Sequence, residues 1–226
     1  MSPRPYKLGQ RQAATEQTRT RIIAAARDLL IASDGFSGFS IDAVARLADV
    51  ARMTVYHQFG SKIGLLEALC DSLASSGGMD QLASVFRRPE PLAALDELIK
   101  IFGHFWQSDR LVTRRLRGLA LLDPDFEQVI RARDERRRHG LSAIIQRYVE
   151  KPGQTVPSTV DEAVNVLYTL TSFEFFDTLA GPARSLEDIV PMVQQLSRSA
   201  LHLSNEHNQK TPQTEPNDPH ERTSIG

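Results

Sequence analysis

Apolar residues recur at spacings of three and four from about residue 18 to residue 204, with no convincing period-2 run between them, and this restricts the chain to helices. A strand needs alternation and a helix needs a stripe, so the pattern predicts an all-α fold in which neighbouring helices cover each other's stripes. A first helix is expected over about Thr18 to Ser33, with Ile22, Ala26, Leu29 and Leu30 on its stripe and Gly35 as its stop. Ser40 can cap a second helix, with Asp42 in its positive first turn and Ile41, Val44, Ala45 and Ala48 facing inward. A third short segment, Arg52 to Phe59, turns Val55 and Phe59 inward and Arg52, Met53, Tyr56 and His57 outward. Gly60 ends it, Ser61 can cap a fourth helix carrying Leu65, Leu66, Leu69 and Leu73, and Ser75-Ser76-Gly77-Gly78 breaks that one.

Longer helices are predicted over Leu92 to Ser108, Arg110 to Leu122, Pro124 to Glu150, Ser158 to Ala180 and Leu186 to Ser204, separated by proline and glycine signals. Pro191 inside the last of these either kinks it or moves its start downstream. Residues 1–15 are polar and basic, residues 205–226 hold three prolines and one aliphatic residue, and both ends are expected to be disordered.

The 226 residues are 41% apolar and 24% charged, enough to bury a core in one or two domains. The longest stretch without Asp, Glu, Lys or Arg, Ala163 to Phe173, is about half the ~20 residues a membrane helix needs. Residues 1–15 have no apolar run behind their basic residues, so no secretory signal is expected. The lone Cys70 offers neither an internal disulfide nor a metal cluster, and a cytoplasmic protein is expected. Six scattered histidines make no metal spacing, and G-x-S-x-G, H-E-x-x-H, P-loop and G-x-G-x-x-G motifs are absent, so neither catalysis nor a cofactor is expected. A net charge of −1 conceals an asymmetry: residues 1–62 hold nine Lys/Arg against five Asp/Glu, and residues 63–204 hold sixteen against nineteen. One basic face meeting a polyanion fits that distribution.

Two short helices joined by a few residues and followed at once by a third match a helix-turn-helix, whose second helix needs an apolar inner edge and an outer edge able to reach bases and phosphates. Gly35-Phe36, Phe39-Ser40-Ile41, Val44-Ala45, Ala48, Val50, Thr54-Val55-Tyr56, Phe59 and Ser61-Lys62 resemble the DNA-binding domain of the tetracycline-repressor (TetR) family over about residues 18–66. Asp49 stands where that family usually has a turn glycine and Gln58 where it usually has histidine; Asp tolerates the left-handed conformation. The resemblance implies that Arg52, Thr54, Tyr56 and His57 meet the major groove and adjacent backbone, and that Ser40 and Lys62 hold phosphates. It implies four parts: a basic arm over 1–15, a DNA-binding domain over 16–62, a helical ligand-binding and dimerisation domain over 63–204, and a tail over 205–226. The implied function is a repressor released from an inverted-repeat operator in double-stranded DNA by a small organic ligand.

In the larger domain Phe126, Ile130, Arg133, Arg137, Leu141, Ile145 and Tyr148 share one stripe. The two arginines on it need either internal carboxylates, such as Glu174 or Asp177, or an anionic ligand. Phe102, Trp106 and Phe173 either line a pocket or form plain core. The segment 158–180 is apolar on more than one side and must be buried inside its domain or against a second subunit; a homodimer is expected. Two other classes compete with this reading: an all-α enzyme, and a helical interaction protein that no longer binds DNA.

Overall fold

A computed structural model describes residues 4–32, 38–156 and 159–202, which form eleven α-helices and one 3-10 turn. Gly35-Phe36 and the tail over 205–226 lie outside the described residues. The N-terminal helices are α1 (Arg4–Ile31), α2 (Ile41–Leu47), α3 (Arg52–Phe59) and α4 (Lys62–Ser76). A 3-10 turn (Met79–Gln81) runs into α5 (Leu82–Val85), followed by α6 (Pro91–Ser108), α7 (Arg110–Ala120) and α8 (Pro124–Val149). The chain closes with α9 (Val160–Leu170), α10 (Phe173–Ala180) and α11 (Val190–His202).

Local chemistry sets most boundaries. The side chains of Ser40, Ser61 and Asp123 accept hydrogen bonds from the third residues of α2, α4 and α8, each supplying an acceptor that the first turn lacks. Pro91 and Pro124 occupy first-turn positions, where the missing N–H costs nothing. α1 starts at Arg4, so residues 4–15, expected as a disordered arm, continue the helix; Gln12 to Gln17 have no proline or glycine to stop it. Between the expected break at Ser75-Ser76-Gly77-Gly78 and the next expected helix, Met79–Gln81 forms a 3-10 turn and Leu82–Val85 a single α-helical turn. α11 starts at Val190, downstream of the expected Leu186, with Pro191 in its first turn.

The expected helix over 158–180 is two helices. Ser172 turns extended and caps α10 by accepting from Phe175 N, at 3.2 Å. The break releases two carbonyls from helical bonding. The Thr171 carbonyl accepts from Trp106 Nε1 at 3.2 Å, and the Tyr168 carbonyl accepts from Arg137 Nη1 at 2.7 Å. A straight helix would leave both buried donors without these partners.

Two apolar cores result. One gathers Ile22, Leu30, Val44, Val55, Leu65, Leu69 and Leu73 from α1–α4. It also takes Val112, Leu116 and Leu119 from α7 and Phe126 from α8, so packing does not divide at residue 62. The other gathers Leu95, Leu98, Phe102 and Trp106 of α6 with Leu141 and Ile145 of α8, Leu167 of α9, Phe176 of α10 and Val193 of α11. Phe105 packs against both. Where α6 passes the start of α11 a Cβ on Gly103 would run into Val190, so this crossing needs glycine.

Candidate nucleic-acid interface and effector cavity

The turn between α2 and α3 is closed by Asp49 N–H donating to Arg46 O at 3.2 Å and Val50 N–H to Ala45 O at 3.0 Å. Asp49 has φ +50°, and no other non-glycine residue among those described has positive φ. The substitution of Asp for glycine therefore keeps the turn, at the steric cost of a Cβ in the left-handed region. Val55 is fully buried and Phe59 packs partly into the first core, which fixes α3 on its inner side. Arg19 of α1 secures its far end, donating to Gln58 O and lying 4.6 Å from the Phe59 ring.

Arg52, Met53 and His57 are exposed on the outer side, Thr54 and Tyr56 half-buried beside them. Arg52 is not free: it donates to Asp42 at 3.1 Å and to the Tyr56 hydroxyl at 3.3 Å, and its guanidinium charge is stabilised, first by the tyrosine and then by the carboxylate. All these partners are exposed or half-exposed, so the arrangement is a poised side chain rather than a structural bridge. Ser40 Oγ caps α2. Lys62 Nζ lies 3.7 Å from Asp123, the residue capping α8, and 6.0 Å from the Phe39 ring.

Charged groups tie this head to the rest. Arg27 of α1 makes a two-point bond to Asp109 between α6 and α7, at 2.6 and 3.1 Å. Arg115 of α7 donates to the Leu30 and Ala32 carbonyls at the end of α1, supplying donors the terminus lacks. Arg133 of α8 donates to Asp71 and to the Glu67 carbonyl on α4.

Between the two cores lies a cavity of about 320 Å³. α4 contributes Cys70 and Leu73, α6 Leu98, Phe102 and Trp106, α7 Leu116 and Arg117, and α8 Arg133, Arg136 and Arg137; Met79, Leu82 and Phe86 cover one side. Burial pushes the Cys70 thiol up to about 11, leaving it protonated and inert. Phe102, Trp106, Arg133 and Arg137 line the cavity as the sequence reading allowed, but Phe173 does not: it stands edge-on behind Trp106, ring centroids 5.7 Å apart.

The arginine partners also differ from those expected. Arg133 pairs with Asp71, and Arg137 reaches Asp134 at 3.3 Å, three residues earlier on its own helix. Glu174 instead takes Arg117, and Asp177 takes Arg110 and Arg114. Arg117 also makes a two-point bond to Asp134, at 2.8 and 3.2 Å. Burial lowers the Arg137 pKa against the pull of Asp134, and the guanidinium sits 4.4 Å from the Tyr168 ring. Sequence reasoning missed Arg117 and Arg136; the spacing of Arg133, Arg136, Arg137 and Gly140 on one helix face was the available signal.

Residues 22–69 match the family described as bacterial regulatory proteins, tetR family. That segment, from the end of α1 into α4, is a tetR-type DNA-binding region. No curated protein matches the chain. Among solved structures it is similar to a TetR transcription regulator from Haloarcula marismortui, with 19% identity over 84% of this chain and 98% of that one and a TM-score of 0.65. FadR from Bacillus subtilis, solved in complex with stearoyl-CoA, has 19% identity over 81% and 99% of the two chains and a TM-score of 0.65. A transcriptional regulator from Rhodococcus sp. Rha1 has 20% identity over 82% and 96%, with a TM-score of 0.61. These likenesses show that the chain shares the fold of these proteins along most of its length. No helix among the described residues is long and apolar enough to cross a membrane, and none of their His, Cys, Asp and Glu side chains form a group able to hold a metal ion.

Proposed function

We propose that the chain is a cytoplasmic, non-enzymatic repressor that binds an inverted-repeat operator as a homodimer and leaves it when a small organic ligand fills the cavity between the cores. The observation that carries this reading is the outer side of α3, where Arg52 and His57 are exposed on a helix locked from within by Val55. Thr54 and Tyr56 complete the groove-facing set, with Ser40 and Lys62 at the phosphates of either flank. The DNA-reading unit is residues 16–62 with α4 as its inner wall, and the ligand-binding and dimerising unit is the remainder to about 204. That a similar fold in FadR was solved with stearoyl-CoA supports a ligand-holding role for these helices. Release follows from geometry: the cavity touches α4, which carries Lys62 at its start, so an occupant that shifts α4 changes the spacing of the two heads.

Selection of bound sequences from a random duplex pool tests the reading, with an inverted repeat as the expected product. On the selected operator, Arg52→Ala is expected to relax preference at a base position of each half-site. Lys62→Ala is expected to weaken all sequences alike and to lower the salt slope by about one per protomer. Recovery of no preferred sequence, or unchanged preference after Arg52→Ala, rejects the assignment.

A further inference from the structure

The cavity is apolar on most sides but not electrically neutral. Four arginines line it, Arg117, Arg133, Arg136 and Arg137, against two carboxylates, Asp71 and Asp134. Asp134 is shared between Arg117 and Arg137, and Arg136, exposed at the rim, has no ion-pair partner among the described residues.

Arg137 is the informative member. Its side chain is only 2% exposed, and its two terminal nitrogens are occupied by the Tyr168 carbonyl, the Thr171 hydroxyl and Asp134. Its Nε–H is buried with no hydrogen-bond partner. An unmade hydrogen bond from a buried cation is among the most costly of polar defects, and one beside a cavity marks a place where an acceptor from the cavity is favoured. Leu73, Leu98, Phe102 and Trp106 line the cavity with apolar surface, the indole N–H being spent on the Thr171 carbonyl, and among the described residues the only uncharged polar groups beside them are the Thr113 hydroxyl and the Cys70 thiol. At about 320 Å³ the space lies at the small end of the ~300–1,000 Å³ typical of organic-ligand sites.

We propose that the effector is a compact monocarboxylate with an apolar, one- or two-ring body, its carboxylate accepting from Arg137 Nε and balancing Arg136 at the rim, its body against Phe102 and Trp106. This rests on the reading of the cavity as the effector site and adds the chemical class. It excludes a fully enclosed long acyl chain, for which the volume is too small, and a cationic drug, which would face an excess of positive charge.

Trp106 is the chain's single tryptophan and lines the site, so its emission reports occupancy without a label. The probes are 4-phenylbutyrate, 4-phenylbutyramide and 4-phenylbutanol, which share a body and differ at the head. Titrated into the full-length protein, the carboxylate is expected to change Trp106 emission saturably and to bind at least tenfold tighter than either neutral probe. Arg137→Lys keeps the charge but removes the Nε–H fork, and is expected to erase most of that tenfold preference. Arg136→Gln, at an exposed position, is expected to reduce it severalfold without changing the melting temperature. Equal or tighter binding of the alcohol, or saturation by none of the three at millimolar concentration, overturns the proposal even if Arg137→Lys fails to fold. Operator binding measured without any probe is independent of these results: its absence strikes the regulatory reading and leaves the carboxylate preference standing.

Discussion

Asp49 carries the sharpest conformational demand in the head, a positive φ of 50° on a residue with a Cβ. Asp49→Gly removes the steric conflict and is expected to leave stability unchanged or raise it slightly, whereas Asp49→Val is expected to cost about 1–2 kcal/mol in urea unfolding because a branched side chain crowds that region most. At the other end of the molecule Asp177 holds Arg110 at 2.6 Å and Arg114 at 2.7 Å, fixing α10 to α7. Burial alone would raise its pKa, but the hydrogen bonds and charges of the two arginines outweigh burial and hold it below the ordinary value of 3.8. A depressed carboxylate pKa contributes stability above the unfolded value and loses it as pH falls through the folded one. The melting-temperature gap between wild type and Asp177→Asn is therefore expected to be widest near neutral pH and to close below about pH 3.8, as differential scanning calorimetry across that range will read.

At the scale of elements, the junction of α9 and α10 joins sequence and site. Ser172 Oγ supplies the only side-chain cap of α10, so Ser172→Ala is expected to cost about 1 kcal/mol and lower the melting temperature by a few degrees. The loss should fall more heavily on cavity order than on head order, because Trp106 and Arg137 both take their partners at this break. Hydrogen exchange localised to α6 and α8, rather than to α1, is the corresponding readout. The starts of α2, α4 and α8 were legible in the sequence because a short polar side chain stands directly before each apolar stripe. The break at Thr171-Ser172 was not, since those two polar residues sit inside an apolar run and only their tertiary partners make an interruption worthwhile. Ion pairing was hidden for the same reason: Asp134 stands three residues from Arg137 in the chain, but its use by Arg117 depends on how α7 crosses α8. Phe173 could not be told from a lining residue by spacing, since one ring, Trp106, separates it from the cavity.

For the whole molecule, assembly is the property still to be accounted for. Val166 on α9 is 45% exposed, and Met192 and Leu196 on α11 are 44% and 40% exposed. α9 and α11 pack against each other, so this apolar surface spans two adjacent helices at the end of the chain away from α3. Leu196→Glu combined with Val166→Glu is expected to give a monomer in sedimentation velocity at micromolar concentration, with the helical signal retained. Operator affinity is expected to fall by orders of magnitude, because each head alone reads too few base pairs. A variant that stays dimeric places the interface elsewhere.

The position of the cavity has an evolutionary consequence. Its walls come from five helices, and Leu73, Leu98, Phe102, Trp106 and Leu116 face it while also belonging to the two cores. Leu82, which is only partly buried, can change size at a smaller packing cost than the core residues Leu73, Leu98 and Phe102, and none of these lies on α3. On the proposed function, descendants of this chain can thus drift toward new chemical signals at such wall positions while α3 continues to address the same stretch of genome, one lineage changing what it listens for without changing where it speaks.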